Sequence, residues 1–357
     1  MSAGARRPFD LAQTVIEVDG SYGEGGGQLV RTAVALAALT GSALRLAGVR
    51  AGRAKPGLAP QHLAAVRAVA ALCDARCEGL ELRSSGFTFE PRSRAAGGEL
   101  RVDVGTAGSI TLVLQALLPI LFGAGNPSRV VVTGGTDVRQ APSWDYFCDV
   151  LLPLLGCMGL HVRASCARRG YYPRGGGEVA VDVEPGEPRP LLLEKPFESW
   201  KIRGEAHVAH LPLAIAERMR AGALSALGRG ANIEARALGG GEAIGAGGAV
   251  TLWAQSDGGR LGASRIAERG VRAETLGDAA GRELAADIAA GATLDTHAAD
   301  QVLVYLALAR GRSSFLARQA SSHARTAMWL IAKFLPARFE IEDTAGLVRV
   351  SATAARR

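Results

Sequence analysis

The chain has 357 residues, 48% of them apolar and 21% charged, with 41 Lys and Arg against 34 Asp and Glu for a formal net charge of +7. This composition excludes an intrinsically disordered, collagen-like or disulfide-stapled chain, and the length suits two domains or one large domain carrying an insertion. Only Lys55, Lys195, Lys201 and Lys333 are lysine among the basic residues, and Arg enrichment can follow from coding bias alone, so the placement of the charges says more than their sum.

The stretch 1–14 has no apolar core and is not expected to be a signal peptide. A strand-like run, Val15 to Gly20, leads into S-Y-G-E-G-G-G and an apolar helix from Gln28 to Thr40. A strand over Leu44 to Arg50, a Gly/Pro loop and a helix over Gln61 to Cys73 follow. Two short alternating segments, Arg76 to Leu82 and Gly86 to Pro91, close the unit. The order is β-α-β-α-β-β. It returns with a strand over Glu99 to Val104, a helix over Ser109 to Phe122 and a strand over Arg129 to Thr133. After the loop Gly134 to Pro142 come a helix carrying Trp144, Phe147, Leu151 and Leu154 on one stripe and strands near Leu160 to Ser165 and Glu178 to Val183. Equivalent helices recur about 80 residues apart, the signature of an internal repeat.

A third copy ends the chain: a helix over Asp300 to Arg310, a strand over Ser313 to Arg318, a helix over His323 to Leu335, and a hairpin of Arg338 to Glu342 with Leu347 to Ser351. Between copies two and three, strands over Trp200 to Ala209 and Gly248 to Gln255 and helices over Leu213 to Leu227 and Ala273 to Ala290 read as a small inserted module. Its glycine stretches, Gly239 to Gly241 and Gly245 to Gly248, read as loops rather than binding sites. The expected fold class is α/β, with three β-α-β-α-β-β repeats in a pseudo-threefold arrangement and a smaller inserted α/β domain. The expected boundaries are residues 1–185 for repeats one and two, 186–285 for the insert and 286–357 for the third repeat. Such an arrangement brings helix N-termini, which favour anions, toward one region.

Cys73, Cys77, Cys148, Cys157 and Cys166 form no Cys-x-x-Cys pair and read as free thiols rather than metal ligands. The longest uncharged run, Gly105 to Pro127, is too short and too interrupted to span a membrane. A cytoplasmic protein with no membrane contact is the expectation.

Standard nucleotide signatures are absent: there is no G-x-x-x-x-G-K-[ST], and G-E-G-G-G-Q departs from G-x-G-x-x-G. By itself that glycine loop reads as a tight turn or as a phosphate cradle. From Gly41 to Cys73 there is no acidic residue, and R-A-G-R-A-K-P-G-L presents Arg50, Arg53 and Lys55 on a loop stiffened by Gly and Pro. This is either a phosphate clamp or a solvated basic loop. A second acid-free stretch, Leu151 to Gly177, carries Arg163, Arg168, Arg169 and Arg174 beside Tyr171 and Tyr172. Cations interleaved with aromatics suit single-stranded nucleic acid, although the tyrosines equally suit a core. Of the six histidines, His161, His207 and His210 read as structural or surface residues. His323 follows Ser321-Ser322, both N-cap types, and opens an apolar helix. There the dipole disfavours imidazolium and leaves a neutral ring able to attack phosphorus; spacing alone leaves a surface histidine as the other reading.

Seven segments in order carry a family resemblance: Asp19 to Arg31, Arg50 to Leu63, Ala107 to Pro119, Gly134 to Asp137, Gly170 to Gly177, His297 to Gln301 and Ser321 to His323. Over nearly the whole chain the sequence resembles the RNA 3'-terminal phosphate cyclases, whose fold of three repeats plus an insert is similar to the one read above. The resemblance implies ATP-dependent conversion of RNA 3'-phosphate ends to 2',3'-cyclic phosphate. His323 would attack the α-phosphate of ATP, AMP would pass to the RNA end, and the 2'-hydroxyl would expel it. It also implies ATP contacts at Gln115 and at His297, Ala298, Ala299, Asp300 and Gln301, with His297 stacking on adenine. Phosphate or RNA contacts fall at Arg31, Arg50, Arg53 and Gln61, and a divalent metal, Mg²⁺ or Mn²⁺, at Glu24. D-T-H-A-A-D-Q departs from the Gly-Glu pair and Leu of many members, and some carry Tyr in place of His297. RNA 3'-phosphate ends are the implied partner, with no stable protein partner. The alternatives are a non-enzymatic cyclase-like RNA-processing or ribosome-assembly factor, which would lack the histidine, and an enolpyruvate transferase, which would lack the motifs at His297 to Gln301 and at His323.

Overall fold

β1 (Val15–Asp19), α1 (Gly27–Thr40), β2 (Ala43–Ala47), α2 (Pro60–Leu72), β3 (Arg76–Glu78) and β4 (Phe87–Glu90) form the first unit of the computed structural model, which describes residues 15–228 and 230–354. The stretch 1–14, expected not to be a signal peptide, lies outside the described residues. β1 runs parallel to β2, and β4 is antiparallel to both β2 and β3, giving the strand order β1-β2-β4-β3. The second unit repeats the plan with β5 (Gly98–Asp103), α3 (Ile110–Phe122) and β6 (Ser128–Gly134). Its second helix comes in three pieces, α4 (Trp144–Tyr146), a π-helical turn (Phe147–Leu151) and α5 (Leu152–Cys157), before β7 (Val162–Arg168) and β8 (Gly177–Val183). Its sheet has the order β5-β6-β8-β7, again with a parallel first pair and antiparallel closing strands.

The third sheet begins with β9 (Leu192–Leu193) and is then interrupted. β10 (Lys201–Ala209), α6 (Leu213–Leu227), β11 (Asn232–Leu238), β12 (Gly247–Gln255), β13 (Arg260–Ile266) and α7 (Ala273–Ala290) intervene before α8 (Thr296–Leu308), β14 (Gly311–Ala317), α9 (Ser322–Phe334), β15 (Ala337–Thr344) and β16 (Leu347–Ala354). β9 pairs in parallel with β14, and the sheet order β9-β14-β16-β15 matches the other two. Leu192 and Leu193 fall within the range 186–285 that the sequence assigns to the insert, yet they hydrogen-bond into the third sheet. α7 continues beyond 285 to Ala290. The intervening strands form a sheet of their own, β11-β10-β12-β13, in which only the β10–β11 pair is parallel and α6 and α7 pack together.

Sequence accounts for the layering. α3 is apolar on nearly every face, I-T-L-V-L-Q-A-L-L-P-I-L-F, and a helix hydrophobic all round must be buried. It lies in the interior with α1, which packs on α2, α3 and α9, while α3 also reaches α8. The sheets cover this helical layer with one face each, as the alternating burial of β6 and β8 records. All five cysteines are free, and no described helix is long and apolar enough to cross a membrane.

The insert docks on the second unit through buried charge. Arg169, at the end of β7, pairs with Asp137 at 3.1 Å and with Asp145. His207 of β10 is wholly buried against them, its Nδ1 3.4 Å from Asp145 and its Nε2 4.0 Å from Asp137. The sequence reading of His207 as an unremarkable structural residue therefore misses its place in a charge cluster. Burial alone would raise the Asp137 carboxyl, but Arg169 and then His207 hold it below the usual carboxylate range. Breaking a buried pair strands the remaining charge. Arg169→Met is expected to lower unfolding stability in chemical denaturation by about 3–5 kcal/mol, whereas Arg168→Met, next door on the exposed face, should stay within about 0.5 kcal/mol.

Candidate active site

The N-termini of α1, α8 and α9 and the loop before α2 open onto one cavity of about 690 Å³, closed on its far side by β13 and α7 of the insert. Glu24, Arg31, Arg50, Arg53, Gln61, His297 and His323, all candidates from sequence, line it. Gln115, Asp300 and Gln301 line a smaller adjoining cleft that shares Gln28 and Arg31 with the cavity. There the Gln115 amide donates to Gln301 Oε1. Ala298 and Ala299 are buried within α8, so the run His297 to Gln301 does not face one space. Lys55, singled out in the basic loop, is absent from the lining.

The glycine-rich turn is shaped by close approach. Gly23 has φ +59°, and a Cβ there would collide with the Thr326 hydroxyl of α9, which instead accepts the Glu24 N–H at 3.2 Å. Tyr22 stacks on Trp329 with ring centroids 3.8 Å apart, pinning the same turn to α9. Gly26 is an N-cap without a capping side chain, leaving the first N–H groups of α1 open toward anions. A Cβ on Gly27 would strike the His62 ring.

His62 escaped the sequence reading, although it lies one residue beyond Gln61. Its Nδ1 accepts the Ala59 N–H at 3.2 Å, and burial, followed by the nearby Arg31 and Arg50 charges, pushes its pKa down to about 3. The ring is therefore a neutral packing surface under α1. Arg31 is only 7% exposed, and burial lowers its pKa to about 10, so it stays cationic at neutral pH. Among the described residues no carboxylate pairs with it. A buried, unpaired guanidinium is costly and supplies a strong reason for an anion to enter. Arg50 is tethered to Gly57 O at 2.8 Å, and Arg53 pairs with the Glu24 carboxylate while donating to Glu24 O at 3.2 Å.

His323 occupies the first turn of α9, whose N-cap Ser321 accepts the Ala324 N–H at 2.9 Å. Ser321 also donates to Asp300 at 2.6 Å, which ties α8 to α9. His323 Nδ1 lies 2.7 Å from Gln28 Oε1 and 3.6 Å from Glu24 Oε2. An acceptor oxygen at that distance puts the proton on Nδ1 and leaves the Nε2 lone pair available. Burial lowers the His323 pKa and Arg53 and Arg31 push the same way, against Asp300, which raises it. Asp300 itself is pushed up to about 6 by burial, even with the Ser321 hydroxyl beside it.

α8 starts at Thr296, four residues ahead of the expected Asp300, because Asp295 caps it by accepting the N–H groups of His297 at 2.9 Å and Ala298 at 3.0 Å. Asp295 also accepts from Tyr146 Oη at 2.7 Å and from Gly262 N–H of β13 at 2.9 Å. The tie holds His297 edge-on to Tyr146, with ring centroids 6.3 Å apart.

The only described group with three ligand-type side chains in reach is Asp137, Asp145 and His207, and there Arg169 already holds both carboxylates. Two carboxylates line the cavity: Glu268 is held by Arg139, and Glu24 alone faces His323. One carboxylate suits a Mg²⁺-type ion only when phosphate oxygens complete the coordination.

The family model described as RNA 3'-terminal phosphate cyclase matches residues 22–341. A protein of that name from Nitrosospira multiformis is 55% identical over 339 residues, covering 94% of this chain and 96% of its own. Others of the same name are 43% identical in Pyrobaculum neutrophilum, over 92% of this chain and 95% of theirs, and 42% in Methanopyrus kandleri, over 93% and 97%.

The unpaired Arg31 has a measurable signature. Arg31→Met is expected to stabilise the ligand-free protein by about 1–4 kcal/mol; pyrophosphate is expected to raise the Tm of the wild type and to raise that of Arg31→Met much less. A thermal-shift titration of both proteins with pyrophosphate checks both effects.

Proposed function

The chain belongs to the RNA 3'-terminal phosphate cyclase family, and from that premise we propose that it converts RNA 3'-phosphate ends to 2',3'-cyclic phosphate using ATP, with His323 as the nucleophile. The observation that carries the reading is the His323 ring at the α9 N-terminus, its Nδ1 engaged by Gln28 and its pKa lowered. His323 Nε2 attacks the α-phosphorus of ATP as the bond to pyrophosphate breaks, giving a histidine–AMP phosphoramidate. An oxygen of the RNA 3'-phosphate then displaces the histidine, forming RNA-3'-pp-5'-A. Attack of the vicinal 2'-hydroxyl on the 3'-phosphorus closes the ring, releasing AMP with its phosphate oxygen and the hydroxyl proton to water.

In this reading Arg31, Arg50, Arg53 and Gln61 hold phosphate oxygens, aided by the open N–H groups of α1. Gln115 and the run His297 to Gln301 serve the nucleotide, with His297 as a stacking surface. A divalent ion, Mg²⁺ or Mn²⁺, would be held by Glu24 and the phosphates and would supply charge neutralisation at the triphosphate. We also assign repeats one and two to residues 1–185, the insert to the span from β10 to the end of α7, and the third repeat to β9 together with residues 291–357. Free thiols throughout accord with a reducing, cytoplasmic setting.

Incubation with α-labelled ATP tests the reading. The wild type should form an acid-labile protein–AMP adduct and His323→Ala none, while His323→Ala should still close a pre-adenylylated RNA end. An adduct retained in His323→Ala would move the nucleophile elsewhere. The pH profile gives a second check. The attacking ring must be deprotonated, and its pKa lies below the ordinary 6.5, so adduct formation should hold steady at neutral pH and fall only as pH drops below 6.5. An acid limb centred above that value contradicts the assignment.

A further inference from the structure

A second, larger cleft of about 930 Å³ lies between the G-Y-Y-P-R loop of the second unit and the insert. It shares Arg139, Ile266, Glu268 and Leu276 with the wall of the catalytic cavity, so the two meet along that edge. The acid-free stretch read from sequence ends here, and the cavity chemistry does not use it. Its tyrosine pair is divided: Tyr171 is buried, whereas Tyr172 is 76% exposed at the cleft. The cations divide as well. Arg139 pairs with Glu268 at 3.0 Å, and Arg218 and Arg272 lie near Glu274. Arg174 and Arg269 have no carboxylate partner among the described residues, and Arg174 makes only a 3.5 Å bond to Ile244 O.

An exposed aromatic ring sharing one lining with uncompensated guanidinium groups, in a cleft that adjoins a site for a strand's terminal phosphate, has the chemistry of a single-strand track. We propose that this cleft binds the RNA just upstream of the 3'-phosphate, with Tyr172 stacking on a base and Arg174 and Arg269 contacting phosphodiesters. The proposal rests on the catalytic reading, because that reading puts the strand's end in the adjoining cavity. The recognition is indifferent to sequence, since every base offers a π-face.

The test compares binding of a 3'-phosphorylated decaribonucleotide with that of a nucleoside 3',5'-bisphosphate, by fluorescence anisotropy and competition, in the wild type, Tyr172→Ala and the double variant Arg174→Glu/Arg269→Glu. The wild type should hold the decamer more tightly than the bisphosphate. Tyr172→Ala should weaken the decamer about tenfold, and the double variant should weaken it further with a shallower salt dependence. Neither should change bisphosphate affinity or self-labelling by α-labelled ATP. Equal affinity of the wild type for both ligands, or unchanged decamer affinity in both variants, overturns the proposal. Loss of self-labelling in the wild type with the binding pattern intact would overturn the catalytic reading and uphold the track.

Discussion

The buried contact of Arg169 with Asp137 and Asp145, completed by His207 from the inserted sheet, is the constraint on which the architecture turns. A guanidinium and two carboxylates removed from water are tolerable only when they meet. Their meeting brings the loop after β6, the end of β7 and the inserted strand β10 to one point. From there the loop continues through Arg139 into the cavity wall. With the insert so held, β13 and α7 line the cavity, and the cleft carrying Tyr172 is bounded by the same joint.

A second tie works at the edge strand β13 of the inserted sheet. Asp295 takes hydrogen bonds from Tyr146 of the second unit, from Gly262 of the insert and from the first turn of α8. Burial raises its pKa, and the four donors pointed at it offset that cost. Asp300 then links α8 to the Ser321 cap of α9, and Thr326 links α9 back to Glu24. The His323 ring, the open end of α1 and the insert are joined by side-chain bonds between helix ends, where backbone groups lack partners of their own. A functional site built at such ends draws on anion affinity already present in the helices.

Long, strongly patterned elements were legible in the sequence, and elements whose partners lie far along the chain were not. α6 and α7 match their expected ranges. β9 was missed because two residues between prolines carry no periodicity and become a strand only by pairing with β14. β11 and β13 were missed for related reasons. β13 holds Gly262 at its centre, where Tyr146 and Val150 approach, and β11 sits at the sheet edge with little alternation. The start of α8 was misjudged because apolar periodicity begins at Val302, whereas the cap that starts the helix is Asp295. His62 and His207 carry no local signature, since each is defined by what surrounds it in space.

By itself the sequence determined the repeat plan, the buried character of α1 and α3, the glycine turn before α1, the Ser321 cap that opens α9 and the ordered motifs by which the family is recognised. These follow from short-range rules: side-chain period, backbone freedom and capping chemistry act within a few residues. Only the tertiary structure decided that Gln28 orients His323 across 295 positions, that Glu24 reaches Thr326 across 302, and that Gln115 meets Gln301 across 186. It also decided that Arg31 meets no carboxylate among the described residues while Arg169 is paired twice. Charge pairing depends on which helices pack together, and the cost of an unpaired buried charge is set by all the surroundings at once, which no window of sequence contains.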